Sequence, residues 1–68
     1  MKTWEYKVEV LPPSKFRKSE DVKADNLERT LAALNASGAE GWESVMMMQL
    51  DGESTIIFRR EKQATNNN

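Results

Sequence analysis

The sequence contains no cysteine and no histidine. The absence of cysteine excludes disulfide bonds and thiolate metal ligands, and the two absences together exclude the His–Cys sites that bind zinc. Without histidine there is also no imidazole base to activate a serine nucleophile. We therefore expect a protein that is not an enzyme, with no catalytic residue, no metal site and no cofactor.

Long apolar runs and an excess of charge are also missing. No segment approaches the roughly 20 apolar residues of a membrane span. The N-terminus alternates polar and aromatic residues, unlike the apolar core of a signal peptide. Ten basic residues against eleven acidic ones give a net charge of −1, which argues against membrane and nucleic-acid partners. These limits predict a cytoplasmic protein, and 68 residues suffice for one small domain.

Strict alternation near the N-terminus predicts a first strand. Aromatic and β-branched residues at a period of two are typical of a strand with one buried face. We expect the apolar members to face the core and the polar members to face outward. Pro12 and Pro13 end the strand, because proline cannot donate to a sheet ladder. The apolar members are Trp4, Tyr6, Val8 and Val10, and the polar members are Thr3, Glu5, Lys7 and Glu9.

A charged connector, residues 14–24, follows the strand. Its basic cluster around Phe16 has two interpretations. Lys15 and Arg17 could form a small phosphate-binding loop, or the segment could be a solvated loop whose Phe16 and Val22 lean on the core. Acidic residues follow the basic cluster closely, which favours the solvated loop.

A short amphipathic helix is predicted after the connector. Asp25 stands where an N-cap should, and Glu28 completes an Asp-x-x-Glu capping box. Gly38 has the place of the glycine that ends a helix in the left-handed conformation. The apolar stripe expected to pack on the sheet consists of Leu27, Leu31 and Leu34.

Asp51-Gly52 between two apolar runs predicts a β-hairpin with a type I′ turn. The turn pairs Leu50 with Glu53, and backward alternation brings Glu43 opposite Arg60. One face of the hairpin, expected to pack on the helix, carries Val45, Met47, Ile56 and Phe58. The other face is also apolar, and its members Met46, Met48, Leu50 and Ile57 are our interface candidates.

These elements combine into a compact β-α-β-β unit of the α+β class. A right-handed crossover gives a three-stranded antiparallel sheet in the order 1-3-2, with one helix on one face. The domain is predicted to span residues 1–62, and the polar residues 63–68 are predicted to form a disordered tail.

The second apolar face of the hairpin predicts an interaction surface, because a single helix can cover only one side of the sheet. Its methionines are either filler on both faces of a small sheet or an adaptable binding surface. We favour the second interpretation, since Met46 and Met48 fall on the uncovered side. The expected function is a module that docks on a protein partner or self-associates as a homodimer or a larger homo-oligomer.

The two tryptophans have alternative interpretations. Trp4 and Trp42 could pack as large core residues where sheet and helix meet, which is common in small domains and is the interpretation we favour. Alternatively they could form an aromatic cage for a nucleotide-like small molecule. We expect Glu40 to make a cap contact and Glu43 to pair with Arg60. The basic residues that could complete a ligand site are Lys15, Arg17, Arg59 and Arg60.

Three segments resemble the DUF4177 family, a set of small bacterial and phage proteins of unknown function. They are residues 4–8 (WEYKV), 38–43 (GAEGWE) and 57–60 (IFRR). The resemblance extends from about Lys2 to Glu61 and implies the same β-α-β-β unit, with no established catalytic residues. The charged connector and the run of methionines depart from the family pattern.

Overall fold

A computed structural model describes residues 2–62. The elements are β1 (Trp4–Leu11), α1 (Ser19–Gly38), β2 (Glu43–Leu50) and β3 (Glu53–Glu61). The strands form one antiparallel sheet in the order β1-β3-β2, with α1 on one side. The predicted class, element order and strand order are confirmed. The predicted tail, residues 63–68, lies outside the described residues.

The turn between β2 and β3 has the predicted geometry. Asp51 has a φ of 52° and Gly52 a φ of 79°, as a type I′ turn requires at its two central positions. Leu50 pairs with Glu53, and the ladder continues to Met46 opposite Ile57. The predicted register is therefore confirmed from the turn as far as Met46.

The ladder is interrupted between Ser44 and Met46, where Val45 is an extra residue. Such a β-bulge places two residues of one strand against one residue of its partner, and the alternation of faces shifts by one. Beyond it Ser44 pairs with Phe58, and Glu43 pairs with Arg59. The predicted pairing of Glu43 with Arg60 was wrong, because the simple alternation included no bulge.

The helix α1 is longer than predicted. It runs for 20 residues from Ser19, because the Glu, Lys and Ala of the connector favour a helix and no proline or glycine interrupts them. Asp25 therefore lies inside the helix, where its carboxylate accepts a hydrogen bond of 3.3 Å from Arg29. The predicted capping box was wrong. The N-cap is Lys18, and its side chain makes no capping hydrogen bond.

The sequence predicted Gly38 as the left-handed residue that ends α1. This prediction was wrong, because the left-handed residue is Gly41. Gly38 is still part of the helix, and the C-cap Ala39 has right-handed helical backbone angles. Gly41 has a φ of 88°. Its position lets the chain turn back, so that the amide of Trp42 donates to the carbonyl of Ser37 at 3.1 Å.

The predicted leucine stripe does not form the inner side of α1. Leu27 is 64% exposed and Leu31 is 57% exposed, while Leu34 is half-buried. Burial follows a line about one position earlier, and this rotation of the helix brings Ser37 against Glu9 of β1. The residues on that line are Val22, Asn26, Thr30, Ala33 and Ser37.

The strand β1 faces the opposite way from the prediction. Lys7 pairs with Phe58 and Glu9 pairs with Ile56, and both partners are buried beneath the helix. Paired residues in an antiparallel sheet point to the same side. The polar residues of β1 therefore lie on the helix side, and its apolar residues lie on the uncovered side.

Candidate functional site

The sheet side away from α1 carries a continuous apolar surface, which we call the open face. Val8 lies opposite Ile57 in the ladder, and Ile57 lies opposite Met46. The apolar side chains consequently cross all three strands without a charged residue at the centre. The open face consists of Trp4, Tyr6, Val8, Val10, Met46, Met48 and Ile57.

Much of the open face is accessible to solvent. Tyr6 is 59% exposed, Val8 is 58% exposed and Met46 is 53% exposed. Aromatic side chains bury roughly 150–250 Å² each and aliphatic ones less, so the open face leaves on the order of 400–500 Å² uncovered. The largest apolar patch on a typical monomer covers about 300–600 Å² and is often functional. The open face is therefore a large patch for so small a domain.

One end of the open face is bounded by a charge-neutral cluster. The guanidinium of Arg59 lies 4.3 Å from the centroid of the Trp4 ring. Its Nε donates to a carboxylate oxygen of Glu43 at 3.2 Å. Glu43 first, and then Tyr6, raises the pKa of Arg59. Glu43 reaches this side because of the bulge at Val45, so the end of the open face carries a compensated pair.

The charged residues on the helix side of β1 have partners. The ammonium of Lys7 lies 3.0 Å from a carboxylate oxygen of Glu9, and 5.2 Å from the centroid of the Phe58 ring. The hydroxyl of Ser37, which is 1% exposed, donates to Glu9 at 2.9 Å. The bond from Lys7, followed by that from Ser37, holds the pKa of Glu9 below its usual range. These contacts allow polar side chains to lie inward.

A second arginine forms a separate cluster on the helix side. The guanidinium of Arg60 lies 4.2 Å from the centroid of the Trp42 ring, and its Nε donates to Glu5 at 2.6 Å. Its Nη1 donates to the backbone carbonyl of Glu40 at 2.8 Å. Arg60 thereby connects β1, β3 and the loop that follows α1.

The residues predicted for a ligand site are not brought together. Trp4 lies on the open face beside Arg59, whereas Trp42 lies on the helix side beside Arg60, so the two tryptophans form no common cage. Lys15 and Arg17 follow the other end of β1, beyond Leu11. Nor is Trp4 a core residue at the junction of sheet and helix, since it is 38% exposed on the uncovered side.

Three of the four interface candidates lie as predicted. Met46 is exposed on the open face, and Met48 and Ile57 are half-buried there. Leu50 pairs with Glu53, but its side chain lies outside the described part of the chain. The prediction missed the apolar residues of β1, which were expected to face the core. The spacing of Lys7 and Glu9 shows that they share a face and can pair with each other, but it does not show which face the helix covers.

Comparisons with protein-family models, with curated proteins and with solved structures found no match to this chain. The resemblance to DUF4177 therefore stays a prediction. Within residues 2–62, no cluster of three or more metal-ligating side chains is present. No helix in that range is long and apolar enough to cross a membrane.

Proposed function

We propose that the protein is a non-enzymatic interaction module that forms a homodimer through the open face. The observation that carries this proposal is the exposure of apolar side chains on all three strands of one sheet side. Each Å² of apolar surface removed from water contributes about 25 cal/mol to association. A partner that covers the open face would gain this contribution, which is partly offset by the entropy that association costs.

A second copy of the chain suits this surface. Two sheets pack face to face about 10 Å apart, with their strands roughly aligned, and a twofold contact requires one surface that complements itself. Ile57 is on the central strand, with Val8 and Met46 on either side of it. Rotation about an axis near Ile57 places apolar side chains on apolar side chains.

The charges and the area are compatible with such a dimer. Arg59 is paired with Glu43 within one copy, so these two charges compensate each other, and Glu61, opposite Trp4 in the ladder, adds one carboxylate at this end. Two open faces would together bury on the order of 1,000 Å², close to the minimum for a specific interface. We therefore expect an association of moderate strength that depends on concentration.

Adjacent methionines provide a matched test. Met46 is 53% exposed on the open face, and Met47 is 51% exposed on the helix side of the same strand. Met46→Glu and Met47→Glu make the same chemical change at nearly equal exposure on opposite sides of the sheet. We would compare both variants with the wild type by analytical ultracentrifugation from about 1 μM to about 1 mM, the range in which weak dimers dissociate.

The wild type and Met47→Glu are expected to dimerise with similar dissociation constants, and Met46→Glu is expected to remain monomeric. Burial of a whole methionine is worth about 1.5–3 kcal/mol. Because about half of Met46 is still exposed in the monomer, each copy would lose about half of that contribution. The two copies together would lose about 1.5–3 kcal/mol, so the dissociation constant should rise by roughly 10- to 150-fold. A monomeric wild type, or equal weakening by the two substitutions, would show that the open face does not mediate self-association.

A further inference from the structure

A groove of about 760 Å³ separates the first half of α1 from the strands β2 and β3. Val22 and Leu27 form its apolar wall on the helix, and Met47 forms the wall on β2. Polar groups of Asn26 and Gln49 also line it. Small-molecule sites commonly have volumes of about 300–1,000 Å³, apolar walls and a few polar groups. The groove lies on the opposite side of the sheet from the open face.

The charges around the groove have one sign. Arg17 and Lys23 line it, and no carboxylate does so among the described residues, although the whole chain has a net charge of −1. Neither cation takes part in an ion pair within residues 2–62. A groove of this composition attracts anions.

Three of the four acidic residues of α1 lie away from the groove. Asp21, Asp25 and Glu28 line a separate depression beside Phe16. On a helical wheel their mean direction is about 140° from that of Val22, Lys23 and Asn26, because successive residues are rotated by about 100°. Three of the four carboxylates of α1 therefore point away from the groove, and the fourth, Glu20, does not line it.

The start of α1 also lies at the groove. Ser19, the first helical residue, lines the groove. The amides of the first turn carry the positive end of the helix dipole, and the N-cap Lys18 provides no side-chain acceptor for them. The first-turn amides, Arg17 and Lys23 thus lie at the same end of an apolar groove, while the first turn also carries Glu20 and Asp21, which do not line it.

We propose that this groove binds a small amphipathic anion, with its anionic group near Arg17 and Lys23 and its apolar body against Val22, Leu27 and Met47. The charge complementarity selects an anion, and the apolar walls select a ligand with a hydrocarbon or aromatic body. The site is independent of the proposed homodimer, because it occupies the other side of the sheet.

The probe for this proposal is 1-anilinonaphthalene-8-sulfonate, which joins a sulfonate to an aromatic body. Its neutral counterpart is N-phenyl-1-naphthylamine, which has the same rings without the sulfonate. Binding would be followed by ¹H–¹⁵N correlation spectra of labelled protein, since these spectra report the site as well as the affinity. Shifts are expected at the amides of Asn26, Thr30 and Gln49, which line the groove.

Two charge-matched variants test the role of the cations. Arg17→Gln/Lys23→Gln removes both groove cations, and Lys15→Gln/Lys62→Gln removes two other cations that do not line the groove. Exposed ion pairs are individually weak, so the first variant, which lacks two cations, should bind the sulfonate about 3–10-fold more weakly. The second should differ from the wild type by less than about twofold, and the neutral probe should bind both variants equally.

Three results would overturn the proposal. The first is a set of shifts confined to Val8, Met46 and Ile57, because the probe would then bind the open face. The second is equal weakening of sulfonate binding in the two charge variants. The third is equal affinity of the wild type for the charged and the neutral probe. Well-dispersed spectra of both variants would confirm that they are folded, and the exposure of all four substituted residues supports this expectation.

Discussion

Replacement of Ser37 by alanine should destabilise the protein at neutral pH. Ser37 is 1% exposed and donates a hydrogen bond of 2.9 Å to Glu9. Hydrogen bonds to charged groups contribute about 1.5–3 kcal/mol. The lower end applies here, because the Glu9 side chain is 33% exposed and water can replace part of the bond. Alanine also favours the helix by about 0.5 kcal/mol relative to serine, which leaves a net loss of about 1 kcal/mol.

This loss should depend on pH. The pKa of Glu9 is lowered in the folded state by Lys7 and then by Ser37. A carboxyl whose pKa is lower in the folded state stabilises that state at pH values above its unfolded pKa of about 4.3. This stabilisation is lost as the pH falls through the pKa of the folded state. The Ser37 hydroxyl supplies part of that stabilisation. The difference between the wild type and Ser37→Ala should therefore be largest near pH 7 and should shrink in acid.

Urea denaturation at pH 7 and near pH 3 would measure both effects. Asn35→Ala is the control, because Asn35 is exposed in the same helical turn and its replacement adds only helix propensity. We expect Ser37→Ala to lower the free energy of unfolding and Asn35→Ala not to lower it. In a thermal melt at pH 7, Ser37→Ala should lower the midpoint by roughly 4–8 °C. A loss of equal size at both pH values would refute the role of the Glu9 carboxylate.

Three further substitutions test the turn and the start of the helix. Gly52→Ala should lower the free energy of unfolding by about 1 kcal/mol, because φ is 79° at this position, and no clash adds to this cost, since the nearest atom to a new Cβ lies at 3.8 Å on Pro13. An unchanged melting midpoint would contradict the type I′ turn. Lys18→Asp should stabilise the protein by roughly 0.5–2 kcal/mol in urea denaturation, since Lys18 has the extended backbone of an N-cap and no capping bond; a loss of stability would contradict this assignment. Asp25→Ala should cost at most about 0.5 kcal/mol in the same assay, the value of a pair with Arg29 one turn away; a larger loss would restore Asp25 as a cap.

The hairpin could be predicted from the sequence because its cause is local. Asp51 and Gly52 adopt positive φ at little cost, and the two-residue turn determines the register of the flanking residues. The prediction failed only past Val45, because a bulge depends on the packing of both strands. Nothing in the spacing of Glu43 and Ser44 distinguishes a regular ladder from a bulged one.

The orientation of β1 could not be predicted, because alternation shows which residues share a face but not which face the helix covers. Hydrophobicity favoured an inward Trp4, yet the pairing with β3 turns Lys7 and Glu9 inward. That arrangement is stabilised by the ion pair between Lys7 and Glu9 and by a hydrogen bond from Ser37, on a helix far away in sequence. A distant contact of this kind leaves no local pattern.

The candidate site was predicted in part for the same reason. Met46, Met48 and Ile57 belong to the hairpin, and the turn alone placed them together on one side. The larger half of the open face comes from β1, whose orientation depends on long-range pairing. The start of α1 was missed because the Asp25–Glu28 spacing of a capping box also occurs inside helices, where Asp25 pairs instead with Arg29.

The strand β3 is central in the sheet, yet it comes last in the described chain. During synthesis from the N-terminus, β1 and β2 therefore have no ladder partner until β3 has left the ribosome. The hairpin can then close across its short turn, whereas β1 must join across the intervening helix, which costs more loop entropy. Until that step, β1 presents an unpaired edge with a row of aromatic and β-branched residues. The nascent chain is thus most exposed to aggregation just before its last strand is complete.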